Sequence, residues 1–219
     1  MNFTTNNLTK FYWIALLTGV IFLLFSIQYP DGRLAIAILF LILLIFAIRS
    51  MSYQISVKGR KLSYKNLFSE KSINIIPESR IYIRRNIQSF FYIFRHYDYS
   101  IKVVNPNGSL NINSNVNDAD QLYELITQLE QKIIFPFLLE RYSNQQSLML
   151  DQYLGISSKG IKYKNKNYLY DSISSIEFEN GYFRLLADGK LWQTPVLALP
   201  ISSIPNPTTF MNLIHLKPS

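Results

Sequence analysis

Between Phe11 and Ile48 the chain consists of two uncharged apolar runs, parted only by Tyr29-Pro30-Asp31-Gly32-Arg33. Two adjacent runs of this kind rarely share one small water-facing core, so they constrain everything around them. As a helix, the first run, Phe11 to Ile27, would reach roughly 25 Å at about 1.5 Å per residue, near the lower limit for crossing a bilayer. The second, Leu34 to Ile48, would reach on the order of 22 Å. Arg33 and Arg49 flank it and can extend its reach by snorkelling, although a re-entrant hairpin is also open to so short a run. Tyr12, Trp13 and Tyr29 stand at the ends of the first run, where headgroup-level rings are favoured. The pattern predicts a transmembrane hairpin over residues 1–49, with helices over 11–29 and 33–49. Arg49, Lys58, Arg60, Lys61 and Lys65 after it, and Lys10 before it, predict a multi-pass protein of the cell membrane with both termini cytoplasmic.

The 219 residues include no cysteine, which removes disulfides, thiolate catalysis and Cys-ligated metal centres. Of the formal charge of +8, Lys10, Asp31 and Arg33 supply +1, and the region from Arg49 onward +7. A basic tail beside a bilayer meets anionic headgroups, each nearby Lys or Arg contributing about 1 kcal/mol. The charges are scattered and no nucleic-acid motif accompanies them, so nucleic acid is not an expected partner.

Past residue 50 the sequence repeats itself. Ile55-Ser56-Val57-Lys58-Gly59 recurs as Ile156-Ser157-Ser158-Lys159-Gly160, and at the same offset Lys61 matches Lys162, Lys65 matches Lys166, Asn66 matches Asn167 and Ile75 matches Ile176. On these identities alone, duplication and chance similarity in an Ile/Lys/Asn/Ser-rich chain both stand. The wider pattern favours duplication. In each half a short strand reaches the Lys-Gly turn and another follows it (61–64; 161–164). Alternating segments come next, Ser72–Ile75 and Ser172–Phe178, with the period of half-buried strands. Hairpins follow: Tyr99–Val104 turns at Asn105-Pro106-Asn107-Gly108 into Ser109–Asn113, and Tyr182–Ala187 turns at Asp188-Gly189 before Leu191.

Each half then closes on a helix. Asp118-Ala119-Asp120-Gln121 caps the first, with Leu122, Leu125, Ile126, Leu129 and Ile133 along one face. Asn206-Pro207 opens a shorter one striped by Phe210, Leu213 and Ile214. Pro136 breaks the first helix, and Phe137-Leu138-Leu139 marks a packed helical linker over 135–150. The predicted fold class is therefore α+β: the hairpin, then two small units of antiparallel sheet plus C-terminal helix over 50–134 and 151–219.

Gly160-Ile161-Lys162-Tyr163, Tyr170-Asp171-Ser172-Ile173-Ser174-Ser175-Ile176, Glu179-Asn180-Gly181-Tyr182, Lys190-Leu191-Trp192 and Ile204-Pro205-Asn206 resemble an uncharacterised bacterial membrane protein family with PH-like domains. The resemblance covers residues 50–219, with Tyr170 where a Trp is common and a far more diverged first copy. It implies a two-helix hairpin followed by tandem PH-like units, and a membrane address. It brings no catalytic residue.

Side chains that carry chemistry are sparse. Neither His96 nor His215 has a second ligand at metal spacing, and no G-x-S-x-G presents a serine. Gly155-Ile156-Ser157-Ser158-Lys159-Gly160 lacks the phosphate-loop pattern and reads as a strand and turn. Glu177 and Glu179 share a strand face as a candidate carboxylate pair, a spacing more often met in simple solvation. No enzyme activity, metal or cofactor is expected.

One stretch of the first half has no counterpart in the second: Arg84-Arg85-Asn86-Ile87-Gln88-Ser89-Phe90-Phe91-Tyr92-Ile93-Phe94-Arg95. Rings flanked by guanidinium groups suit a loop entering the headgroup layer; the same run also suits two strands covered on both faces. The expected function is that of a non-enzymatic, membrane-anchored tandem PH-like protein binding a protein or peptide partner at the cytoplasmic membrane surface. The alternative is an anionic-lipid-interacting module whose surface contacts are Arg84, Arg85, Phe90, Phe91, Tyr92, Phe94 and Arg95.

Overall fold

The computed structural model describes residues 1–4, 17–23, 37–38, 41–42, 45, 53–66, 69–90, 94–114, 116, 118–145, 147–187 and 194–216, without the side chains of 4, 53, 86–90, 94–98, 113 and 114. Strands dominate these residues and pair into four sheets. Among them no helix is long and apolar enough to cross a membrane. This corrects the expected α+β fold class with its N-terminal transmembrane hairpin, and with it the expected multi-pass address in the cell membrane. Most of residues 11–49 lies outside the described residues. Within them, residues 17–23, 37–38, 41–42 and 45 are helical. Hydropathy had set the expectation, whereas pairing of strands into sheets organises the described residues.

The chain forms two compact units, one of residues 1–72 and 115–118, the other of residues 73–114 and 119–219. In the first, β1 (Asn2–Thr4), β2 (Tyr53–Lys58), β3 (Lys61–Asn66) and β4 (Glu70–Asn74) lie in the order β1-β2-β3-β4, with β4 carrying the chain onward at Ile73. The sheet thus begins at residue 2, before the apolar runs, and resumes after them. Thr4 pairs with Gln54, and the Met1 amine donates to the Val57 carbonyl at 2.8 Å. Alternation sorts the two faces: Phe3, Ile55, Val57 and Leu62 are buried, while Ser56, Lys58 and Lys61 point the other way. Gly59, at φ +58, supplies the left-handed backbone of the two-residue turn between Lys58 and Lys61.

The second unit opens with β5 (Arg80–Phe90), β6 (Phe94–Asn105) and β7 (Gly108–Ser114), a three-stranded antiparallel meander. Asn105 sets its second turn, its Oδ1 accepting from the Asn107 amide and its Nδ2 donating to the Asn74 carbonyl. Helix α1 (Ala119–Leu129) follows and runs through a π-helical turn, Glu130–Ile134, into α2 (Phe135–Gln145). Pro136 therefore does not end the helix. Its ring and missing N–H fall just after the widened turn, where the regular hydrogen-bond ladder has already been relaxed. The expected stripe is buried at Leu122, Ile126 and Ile133 and half-buried at Leu125 and Leu129.

Next come β8 (Ser147–Met149), β9 (Leu154–Ser157), β10 (Gly160–Tyr163) and β11 (Lys166–Leu169), again a four-stranded meander. A three-stranded meander follows: β12 (Ile173–Glu179), β13 (Tyr182–Ala187) and β14 (Pro195–Pro200). Asn180 and Gly181 both take positive φ, +52° and +78°, in the β12–β13 turn. The Asp188-Gly189 turn lies outside the described residues. Helix α3 (Pro207–His215) ends the fold, with Phe210, Leu213 and Ile214 buried.

The order of four-stranded meander, three-stranded meander and helix thus occurs twice. Details recur with it. An aromatic on each middle strand meets one on the helix that follows: Tyr99 stacks on Tyr123 at 5.0 Å, and Phe183 meets Phe210 edge-on at 5.0 Å. Each helix is preceded by a left-handed Asx residue, Asp118 at φ +59 and Asn206 at φ +51. The turns also correct the repeat's register. Lys58 and Lys61 flank the first turn as Ser157 and Gly160 flank the second, two residues away from the match that aligns Gly59 with Gly160. A slip of two keeps every side chain on its face, which is why both registers look plausible in the sequence.

Candidate functional site

The sheet β8–β11 has one fully packed face and one hollow one. Leu148, Ile156 and Ile161 sit on the packed face and are at most 2 % exposed. On the other face, strand register lays out two cross-sheet rows, Met149–Gly155–Lys162–Asn167 and Ser147–Ser157–Gly160–Leu169. Each row has a glycine on a central strand, so the middle of the sheet carries no side chain where its neighbours do. The result is a groove of about 380 Å³ whose lining includes both glycines, Met149, Leu169, Lys159 and Lys162.

Each residue has a local cause. Lys159 occupies the β9–β10 turn, which Ser157 ties by accepting from the Gly160 amide and donating to the Gly160 carbonyl. Gly160 is obligatory, since a Cβ there would run into the Tyr168 carbonyl oxygen. At Gly155 a Cβ would meet the flexible tip of Met149 and, at 3.2 Å, the Leu148 carbonyl oxygen. Met149 and Leu169 stand at opposite corners of the groove, 50 % and 52 % exposed. No acidic side chain lines the groove, so Lys159 and Lys162 give it a positive field over an apolar and peptide-backbone floor. Such a surface can take an extended segment with an apolar residue and nearby negative charge. It holds no nucleophile–base pair, and among the described residues no group of His, Cys, Asp and Glu is arranged to hold a metal.

The other candidate residues are placed as follows. Arg84 and Arg85 are exposed neighbours on β5, so they point to opposite faces of their sheet. Arg84 stands opposite Ser100 and Arg85 opposite Tyr99. Phe90 ends β5 and pairs with Phe94 at the start of β6, with Arg95 opposite Ser89. The side chains of Phe90, Phe94 and Arg95, and all of Phe91 and Tyr92, lie outside the described residues. The stretch is therefore mostly the two arms of a long hairpin, β5 and β6 running 11 and 12 residues where β12 and β13 run 7 and 6. Glu177 and Glu179 do not form an isolated pair; they stand opposite Arg184 and Tyr182 in the β12–β13 register. His215 is exposed, its ring 6.4 Å from that of Phe178.

Two buried polar features escaped sequence reasoning. Asn206 turns its side chain away from the helix it precedes: Oδ1 accepts from the Ile81 amide at 2.8 Å, Nδ2 donates to the Ser79 carbonyl at 3.1 Å, and its own amide donates to the Ile81 carbonyl at 2.7 Å. Glu130, wholly buried, instead accepts from the Thr209 amide in the first turn of α3. A signal for Glu130 was present, four residues after Ile126 and three before Ile133, on the apolar stripe itself. Nothing in the sequence marks the partners of Asn206.

The chain belongs to DUF6585, a family of unknown function, whose profile matches residues 2–219. No curated protein and no solved structure matches it.

Proposed function

We propose that this member of a family of unknown function is a non-enzymatic, tandem PH-like binding protein that takes an extended segment of a protein or peptide partner in the β8–β11 groove. One observation carries the reading. Two buried glycines on adjacent strands leave the middle of this face without side chains, between exposed Met149 and Leu169 and beside Lys159 and Lys162, with no acid in the lining. The partner chemistry follows from the surface: a large apolar side chain to rest between Met149 and Leu169, flanked by Glu or Asp to meet the lysines.

The test is fluorescence anisotropy with the full chain and a short labelled peptide carrying one Leu between Glu residues. The expected result is salt-sensitive binding, weakened by about tenfold or more in Lys159→Glu/Lys162→Glu. Equal affinity in that variant overturns the reading. So does a preference for phosphatidylserine vesicles that disappears in Arg84→Gln/Arg85→Gln/Arg95→Gln, which would favour a lipid surface on the β5–β6 arms.

A further inference from the structure

Glu130 is 0 % exposed, yet among the described residues no cation faces it. It begins the π-helical turn, packed against α1, α2 and α3. The charged side chains and the histidine described on these elements (Asp120, Glu124, Lys132, Glu140, Arg141 and His215) are all exposed, and the tyrosines are Tyr123 and Tyr142. What meets the carboxylate is the start of α3: Oε1 accepts from the Thr209 amide at 2.5 Å, while Oε2 has no hydrogen-bond partner among the described residues. Beside it, Asn212 donates from Nδ2 to Gln131 Oε1 at 2.8 Å, so two successive residues of the π turn grip one face of α3. Asn206, the residue that would ordinarily cap α3, is committed to Ser79 and Ile81. The helix start therefore depends on Glu130.

We propose that Glu130 is a proton-controlled latch: protonated, it stays buried and holds the first turn of α3 to the π turn, and ionised, it is drawn toward water and loosens α3. A carboxylate at a helix N-terminus is ordinarily favourable, but a wholly buried one lacking a countercharge loses more in hydration than one amide bond returns. Burial accordingly pushes the carboxyl up to about 7, with the Thr209 amide pulling the other way. The folded-state value is raised above the unfolded one. The stabilisation it brings is thus complete below about 4.5 and is lost as pH climbs to about 7. The device is independent of the peptide groove and stands or falls apart from it.

Hydrogen exchange of the full chain, corrected for the intrinsic pH dependence of exchange, reads the latch directly. The opening constant of the amides of residues 209–215 should rise on the order of 100-fold between the two pH limits in the wild type. In Glu130→Gln, which keeps an acceptor for Thr209 but cannot ionise, it should stay flat. A flat wild-type profile, or the same rise in Glu130→Gln, overturns the proposal. If that variant fails to fold, the wild-type chain still decides: a carboxyl NMR titration of Glu130 with its midpoint in the ordinary glutamate range sinks the latch, and a midpoint that tracks the exchange profile sustains it.

Discussion

The two four-stranded sheets share connectivity and differ in what their outward faces carry. In β1–β4 that face bears Asn2, Ser56, Ser63 and the like-charged pair Lys58 and Lys61; at the equivalent places in β8–β11 stand Met149, Gly155, Lys162, Ser157 and Gly160. Polar side chains pave the first sheet, and glycines strip the second. The helix starts differ in the same spirit. Asp118 is exposed, whereas Asn206 is 3 % exposed and fully bonded. Duplication of one connectivity leaves one copy able to keep the scaffold while the other gives up local stability for a hollow surface and a buried polar junction.

The comparison is most easily broken at the helix starts. Asn206→Ala should destabilise the chain by about 3–5 kcal/mol in denaturant unfolding, because it strands the Ile81 amide and the Ser79 carbonyl and forces a Cβ-bearing residue without local hydrogen bonding into a left-handed backbone. Asp118→Ala should lose about 1 kcal/mol, mostly from its backbone conformation. Equal losses would mean the two copies use this position alike.

At the sheets, Gly160→Ala should lose about 2–3 kcal/mol through its collision with the Tyr168 carbonyl, while its equivalent Lys61→Ala should stay within about 0.5 kcal/mol. The aromatic contacts offer a conversion of one copy toward the other. Tyr99 donates to Asp120 Oδ1, and burial, then that bond, push its phenol up to about 12. The folded state thus holds this proton, and the associated stabilisation is complete below pH 10 and lost as pH rises through about 12. Tyr99→Phe, which gives β6 the ring that β13 already has, should cost about 1 kcal/mol at neutral pH. It should also shrink the late step of a spectrophotometric tyrosine titration, leaving the part due to Tyr170, whose phenol burial also pushes up to about 12. Gly155→Ala should cost about 1 kcal/mol, because the Met149 tip must move and the Leu148 carbonyl oxygen lies 3.2 Å from the added Cβ. Peptide affinity should nonetheless fall by about tenfold, and Ser56→Ala should leave it unchanged.

What could be read from the sequence follows from how locally each feature is determined. Alternation announced the strands around Ile55, Ile73, Ile101 and Ile176, and a 3.6-residue stripe announced α1 and α3, because one face of each must be buried wherever the element lies. Asn105 to Gly108 announced a turn through backbone conformations few other residues accept. The groove was hidden because it is a cross-strand property. Gly155 and Gly160 lie five apart in sequence and become neighbours on one face only once a two-residue turn folds β10 onto β9. The junction at Asn206 joins backbone groups more than 120 residues away. Hydropathy in the apolar runs set the expectation of spanning helices, and among the described residues no helix is long and apolar enough to cross a membrane.

β1 is three residues long, and its register with β2 places Thr4 beside Gln54, about one strand spacing of 4.8 Å away. Everything from residue 5 to residue 52 therefore leaves and returns through a doorway no wider than a single ladder rung. Any tension along that segment is delivered as a peeling load on the shortest clasp in the sheet, which will unzip from Thr4 toward Met1 before β2 and β3 part. Conversely, a tight turn spliced from Thr4 to Tyr53 should leave the clasp shut.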